Sequence, residues 1–160
     1  MTRLANVRRT IDVAVDPAAA FEMFTAEIGA WWRPSPHTLV DPTRAVGVRI
    51  EPGVGGRWVE VWDADTGSGY ERGRILTWEP GSRLVIDYRD PRLPSEPLTE
   101  IEVRFDPSGA GTRVTLEHRG WERLPREVVA RYISSRIWSG LATWYAEYVH
   151  ARAHGTRAES

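Results

Sequence analysis

Cysteine is absent from the 160 residues, and so is lysine: all 21 basic residues are arginine. The first absence excludes disulfides, thiolate metal sites and cysteine nucleophiles, and leaves the redox compartment open. The second excludes Schiff-base catalysis and a phosphate-loop lysine; codon usage in a GC-rich genome accounts for it plainly. No apolar run approaches the roughly 20 residues that a membrane-spanning helix needs. Residues 1–10 carry Arg3, Arg8 and Arg9 without the apolar stretch of a signal peptide. The expected setting is the cytoplasm, away from membranes. Net charge is −1 and arginine alternates with aspartate and glutamate, so there is no basic stripe for nucleic acid.

Aromatic rings, by contrast, are plentiful, with eight tryptophans in the chain. Two are adjacent, Trp31 and Trp32. Neighbouring side chains diverge by roughly 100° on a helix or 180° on a strand, so one of the pair is expected at a cavity or its entrance. Before them, Val7 to Val15 reads as a strand with Ile11, Val13 and Val15 on one face. Asp16-Pro17 then supplies an N-cap and a first-turn proline for a helix to about Thr25. A short helical turn holds Trp31 and Trp32, and Pro34 and Pro36 end it.

From Val46 to Arg119 the chain predicts an antiparallel meander: 46–51, 57–62, 70–78, 83–89, 99–105 and 112–119, separated by turn clusters. Leu84, Ile86 and Tyr88 alternate in one strand; Ile101, Val103 and Phe105 in the next; Val114, Leu116 and His118 in the last. One-sided alternation predicts one covered face and one wet face. The cover is a helix from Pro125 to about Arg152, with Ile133, Ile137, Leu141, Trp144 and Tyr148 at helical spacing. Val129, Trp138, Tyr145 and Val149 widen that stripe. The expectation is one α+β domain over residues 1–152, with seven strands curved around a long C-terminal helix and a disordered tail over 153–160.

Several stretches resemble the START-like (SRPBCC) superfamily, in the branch homologous to the activator of the heat-shock-protein-90 ATPase. They are Phe21 to Trp32, Gly55-Gly56-Arg57-Trp58-Val59-Glu60, Gly73 to Pro80, Arg83-Leu84-Val85-Ile86, and Val114 to Trp121. Their order and spacing cover about Asn6 to Ala151. Ile137 departs from the pattern, standing where many relatives carry glycine. The resemblance implies a helix-grip fold, a curved antiparallel sheet enclosing a cavity against the long helix. Such proteins include hydrophobic-ligand carriers, aromatases and cyclases, receptors and co-chaperone domains, so the fold does not settle function.

Among candidate residues, His118 lies on the apolar face of its strand and points toward the helix; a lone inward histidine is more often structural than functional. Trp58, Glu60 and Trp62 share a strand face. Facing inward, Glu60 would be a carboxylate among aromatics, raised by desolvation; Val59 and Val61 suit the core equally and favour the opposite orientation. Which face lines the cavity stays open. Glu100 and Glu102 share the face expected to be wet. His150 and His154 have the spacing of a helical metal pair but no third ligand. The run from Asp63 to Gly67 only echoes a calcium loop, and Gly53 to Gly56 precedes a strand and so is no phosphate cradle. Ser134, Ser135 and Ser139 lie on the last helix without a nucleophile elbow.

The expected function is binding of a small, mostly hydrophobic or aromatic molecule between sheet and helix, at Trp32, Trp58, Glu60, Tyr88, His118, Trp138, Leu141 and Trp144, without metal or cofactor. A cyclase-like enzyme using His118 as acid or base, with Glu60 or Tyr88 as partner, is the alternative. A co-chaperone-like interaction domain is the third reading, and a homodimer is left open.

Overall fold

In the computed structural model, residues 7–35, 38–133 and 137–158 are described. Seven strands form one antiparallel sheet: β1 (Val7–Val13), β2 (Gly47–Ile50), β3 (Arg57–Val61), β4 (Gly69–Glu79), β5 (Arg83–Tyr88), β6 (Thr99–Ser108) and β7 (Gly111–Arg119). Their order is β1-β7-β6-β5-β4-β3-β2, so β1 closes against the last strand while β2 and β3 end the other side. Each strand expected from alternation is present. The registers explain why: Ile86 faces Ile101, Leu84 faces Val103, and across the next pair Ile101 faces His118, Val103 faces Leu116 and Phe105 faces Val114. Cross-strand partners point to the same side, so these rows form one continuous apolar concave face.

Helices α1 (Pro17–Thr25) and α2 (Ile28–Trp31) fill the connection from β1 to β2. Asp16 caps α1, its carboxylate accepting from the Ala19 amide at 2.8 Å, with Pro17 as the first helical residue. Phe21 and Phe24 of α1 both meet Phe105 edge-on, at centroid separations of 5.2 and 6.1 Å. This fixes the helix against the sheet centre.

The C-terminal cover is helical on both sides of residues 134–136, as α3 (Arg126–Ile133) and α4 (Ile137–Ala158), and is preceded by a 3₁₀ turn at Trp121–Arg123. Helical geometry in α4 runs past Arg152, to Ala158. Leu141, Tyr145 and Val149 form the buried line of α4, four residues apart, while Trp144 and Tyr148 are only half-buried on its flank. The Tyr145 hydroxyl donates to the Ala20 carbonyl at 2.6 Å, tying α4 to α1. The side chains of Ile133, Ile137 and Trp138, and all of residues 134–136, lie outside the described residues.

Two bulges in β4 break the strand period. Trp58 pairs with Gly73 but Val59 pairs with Glu71, leaving Arg72 as an extra residue; Ile75 pairs with Ile86 but Thr77 with Val85, leaving Leu76 extra. A bulge re-aims its side chain: Arg72 turns into the protein at 2% exposure. Gly73 beside it is required by close packing, because a Cβ there would fall 2.1 Å from the Asp87 carbonyl oxygen.

The convex face is drier than alternation predicts. Val59, Val85 and Glu102 are all buried on it. Glu102, expected to be wet, is covered by arginine stems: it pairs with Arg83, with Arg104 at 3.2 Å and with Arg119 at 3.0 Å.

Candidate functional site

Between the concave face and the helices lies a cavity of about 30 Å³. Phe24, Ile28, Trp31 and Trp32 line it from α1, α2 and the residue capping α2. Ile50, Trp58, Ile86 and Ile101 line it from the sheet, and Leu141, Ala142 and Tyr145 from α4. Arg9 is the one charged residue on its wall among the described residues. A second, partly open space of about 270 Å³ lies alongside, between α2 and β2, lined by Gly29, Trp32, Leu39 and Val48 among others. Trp32 lines both spaces.

The adjacent tryptophans are held differently. Trp31 donates its indole N–H to the Met23 carbonyl at 3.0 Å and packs on Phe24 and Tyr145. Trp32 is the C-cap of α2 in extended backbone geometry and meets Trp58 edge-on at 5.5 Å. The buried indole nitrogens of Trp32 and Trp58 have no acceptor among the described residues.

Beside Trp58 lies a buried ionic cluster built by the bulge. Glu60 is 0% exposed, which places the Trp58 and Glu60 side of β3 inward and overturns the orientation that Val59 and Val61 favoured. Its carboxylate accepts from the Val40 amide at 2.6 Å, the Asp41 amide at 2.9 Å and the Trp62 indole at 2.9 Å. Arg72 reaches Glu60 at 3.4 Å, donates to the Thr38 carbonyl at 3.0 Å and to the Tyr88 hydroxyl at 3.0 Å, and lies 3.8 Å from Asp90. Its guanidinium sits 5.2 Å from the Trp58 ring centroid and 5.7 Å from that of Tyr88. Burial acts to raise the Asp90 carboxyl, but hydrogen bonds and charge from Arg92, with the charge of Arg72, outweigh it and hold the group low.

His118 is fully buried, and its Nε2 is 2.7 Å from Thr99 Oγ1. Its ring packs 4.9 Å from Tyr88 and 4.3 Å from Trp121. Desolvation lowers its pKa to about 3, so the imidazole is neutral across the physiological range. Glu60 and Tyr88, the partners expected for it, are engaged with Arg72 instead.

Of the expected site residues, Trp32, Trp58 and Leu141 line the cavity. Glu60, Tyr88 and His118 form the polar layer next to it, and Trp144 lies on the α4 flank with Arg33 5.5 Å from its ring centroid. The Trp138 side chain is outside the described residues. Sequence reasoning missed Arg72, Asp90 and Thr99. Only the pairing of Tyr88 with Thr99 across β5 and β6 hints at the last, since it puts a hydroxyl beside the histidine row. Phe24 and Tyr145, also missed as wall residues, were legible only as core.

Among the described residues no group of three histidine, cysteine, aspartate or glutamate side chains is placed to hold a metal. His150 and His154 stack at 4.0 Å on exposed helix, with His154 Nδ1 2.9 Å from the His150 carbonyl. Among these residues no helix is long and apolar enough to cross a membrane.

Comparison with known proteins places this geometry. The family described as Activator of Hsp90 ATPase homolog 1-like protein matches residues 14–143. No curated protein matches the chain. Among solved structures, an anthrahydroquino-γ-pyrone synthase, Txn09, is 37% identical with TM-score 0.51, over 79% of this chain and 84% of that one. CalC, a self-sacrificing resistance protein from Micromonospora echinospora, is 23% identical with TM-score 0.62, over 92% of this chain and 95% of its own. The Aha1 dimer from Colwellia psychrerythraea is 12% identical with TM-score 0.53, over 91% and 96%. The last two likenesses are of fold.

Proposed function

We propose, for a chain that belongs to the Activator of Hsp90 ATPase homolog 1-like family, that it binds a small, mostly apolar aromatic molecule between its sheet and C-terminal helices. The carrying observation is that Phe24, Trp31, Trp32, Trp58 and Tyr145 all line one cavity. Rings around a cavity supply large apolar contact and favourable edge-to-face geometry for a flat ligand. A fused-ring molecule of the kind that names the Txn09 synthase suits such walls. Tyr88, His118 and Glu60 form the polar end of the proposed site, with Trp144 on its helical side. The protein is taken to act in the cytoplasm, without a cofactor.

The test is titration of intrinsic tryptophan emission with a panel of two- and three-ring aromatics, alongside native mass spectrometry for a co-purified molecule. Saturable quenching is expected. No quenching across the panel, with no retained molecule, rejects ligand binding.

Catalysis is the second reading, favoured by 37% identity to a synthase and by the short contact of His118 with Thr99. Against it stand a histidine pKa of about 3 and the absence of His118 from the cavity wall residues. His118→Gln separates the two: loss of turnover at unchanged affinity supports catalysis, whereas a change in affinity of one hydrogen bond, roughly 0.5–1.5 kcal/mol, supports binding. A co-chaperone-like role or a homodimer has less behind it: the large exposed apolar side chains among the described residues are Val46, Val54 and Leu76, on three separate segments.

A further inference from the structure

The cavity is far smaller than the roughly 300–1,000 Å³ of ordinary ligand pockets. At about 30 Å³ it admits little more than water, whereas the neighbouring cleft between α2 and β2 measures about 270 Å³. One side chain belongs to both walls, that of Trp32.

Trp32 also lacks the anchor that its neighbour has. No hydrogen bond holds its indole, in contrast to Trp31 next to it, and its ring is kept by contacts to Trp31 at 6.1 Å and Trp58 at 5.5 Å. Its backbone has already left the helix. The second unsatisfied donor, the Trp58 indole N–H, belongs to the very ring that Trp32 packs against. Buried polar groups without partners are rare, and two on adjoining rings at the cavity wall call for an acceptor that the described residues do not supply.

Resting on the ligand-binding reading above, we infer that Trp32 is the movable partition between cavity and cleft, and that the ligand is a flat aromatic ketone or quinone. Its carbonyl oxygen accepts from the Trp32 and Trp58 indole N–H groups. The walls provide affinity for any flat apolar molecule; the two donors select those with an acceptor oxygen.

Fluorenone and fluorene test this, being the same three-ring skeleton with a carbonyl or a methylene. Wild-type protein is expected to bind fluorenone more tightly, and the fluorenone carbonyl stretch is expected to shift to lower frequency on binding. Trp32→Phe and Trp58→Phe keep a ring and remove the donor; each is expected to cut the preference for fluorenone by roughly two- to tenfold and to move the carbonyl stretch back toward its apolar value. Trp32→Ala, which removes the partition, is expected to take up fluorenone faster than wild type. Circular dichroism confirms that each variant is folded, and if Trp58→Phe does not fold, Trp32→Phe carries the test alone. Equal affinity for fluorenone and fluorene overturns the acceptor inference while leaving the apolar site intact. A preference undiminished in the folded Phe variants overturns the assignment to these indoles. An unchanged uptake rate in Trp32→Ala overturns the partition. Binding of neither probe overturns the ligand reading itself.

Discussion

Replacing Glu60 by Gln changes one atom and no volume, yet it should be among the most damaging single changes available. Glu60 Oε1 receives the Val40 amide and Arg72; Oε2 receives the Asp41 amide and the Trp62 indole. All four partners are donors, so whichever way the glutamine amide is turned, its NH₂ confronts two of them. The change also removes a negative charge from beside a guanidinium that is 2% exposed, leaving Asp90 at 3.8 Å as its remaining counter-charge. Breaking a buried ion pair by removing one partner costs about 3–5 kcal/mol. For a chain of this size that lowers Tm by roughly 6–20 °C. Arg72→Met should cost a similar amount, because it removes the donor to the Thr38 carbonyl and the Tyr88 hydroxyl and the counter-charge of Glu60. The double variant should cost less than the sum of the two by about 0.5–3 kcal/mol, since each charge is the reason the other must be there. Urea unfolding at neutral pH, followed by circular dichroism, measures all three corners. A Glu60→Gln variant within about 1 kcal/mol of wild type, or strict additivity, refutes the reasoning: the first would mean that this network contributes little, and the second that its charges are independent.

Three further outcomes follow from the same structure. Burial holds the His118 pKa near 3 against the ordinary 6.5, so protonation favours the unfolded chain. Stability is then full above pH 6.5 and falls as pH drops toward 3, by up to about 1.4 kcal/mol per pH unit; His118→Gln should flatten that slope between pH 6.5 and 4.5, and an unaltered slope in denaturant titrations contradicts the burial argument. Glu51 is held down to about 2 mainly by the Arg57 side-chain hydrogen bonds, so its contribution is present above 4.5 and lost as pH falls through 2. With both side chains about a third exposed, solvent screening limits it to ~1 kcal/mol or less, and Glu51→Gln should remove that acid-limb loss. Asp16→Ala should cost about 1 kcal/mol by uncapping α1, read from the urea midpoint at constant slope.

Much of the architecture was legible in the residues themselves. A period of two is a local property, so the seven strands could be found wherever alternation ran unbroken, as in Leu84-Ile86-Tyr88 and Val114-Leu116-His118. The cap at Asp16-Pro17 is local as well. The apolar stripe beyond Val129 pointed to the helical cover. The divergence of Trp31 and Trp32 told less than expected: both are buried and both line the cavity, and they differ in that Trp32 also lines the cleft beside it.

What the tertiary structure decided are the places where that periodicity breaks or where distant segments meet. Arg72 and Arg74 look alike in the sequence, both arginines of one strand on the same expected face. A bulge makes the first an internal counter-charge and leaves the second exposed. Glu60 and Glu102 both look like surface charges. The first became internal because the 40–41 backbone and Arg72 close over it, the second because arginine stems from three strands lie across it. Partnership of His118 with Thr99, and the placing of Trp32 between a small cavity and a larger cleft, depend on register and on the docking of α2 against β2. Those are relations between residues far apart in the chain. Sequence periodicity carries only which side a residue prefers, and the charge network and cavity arise from what is packed against that side.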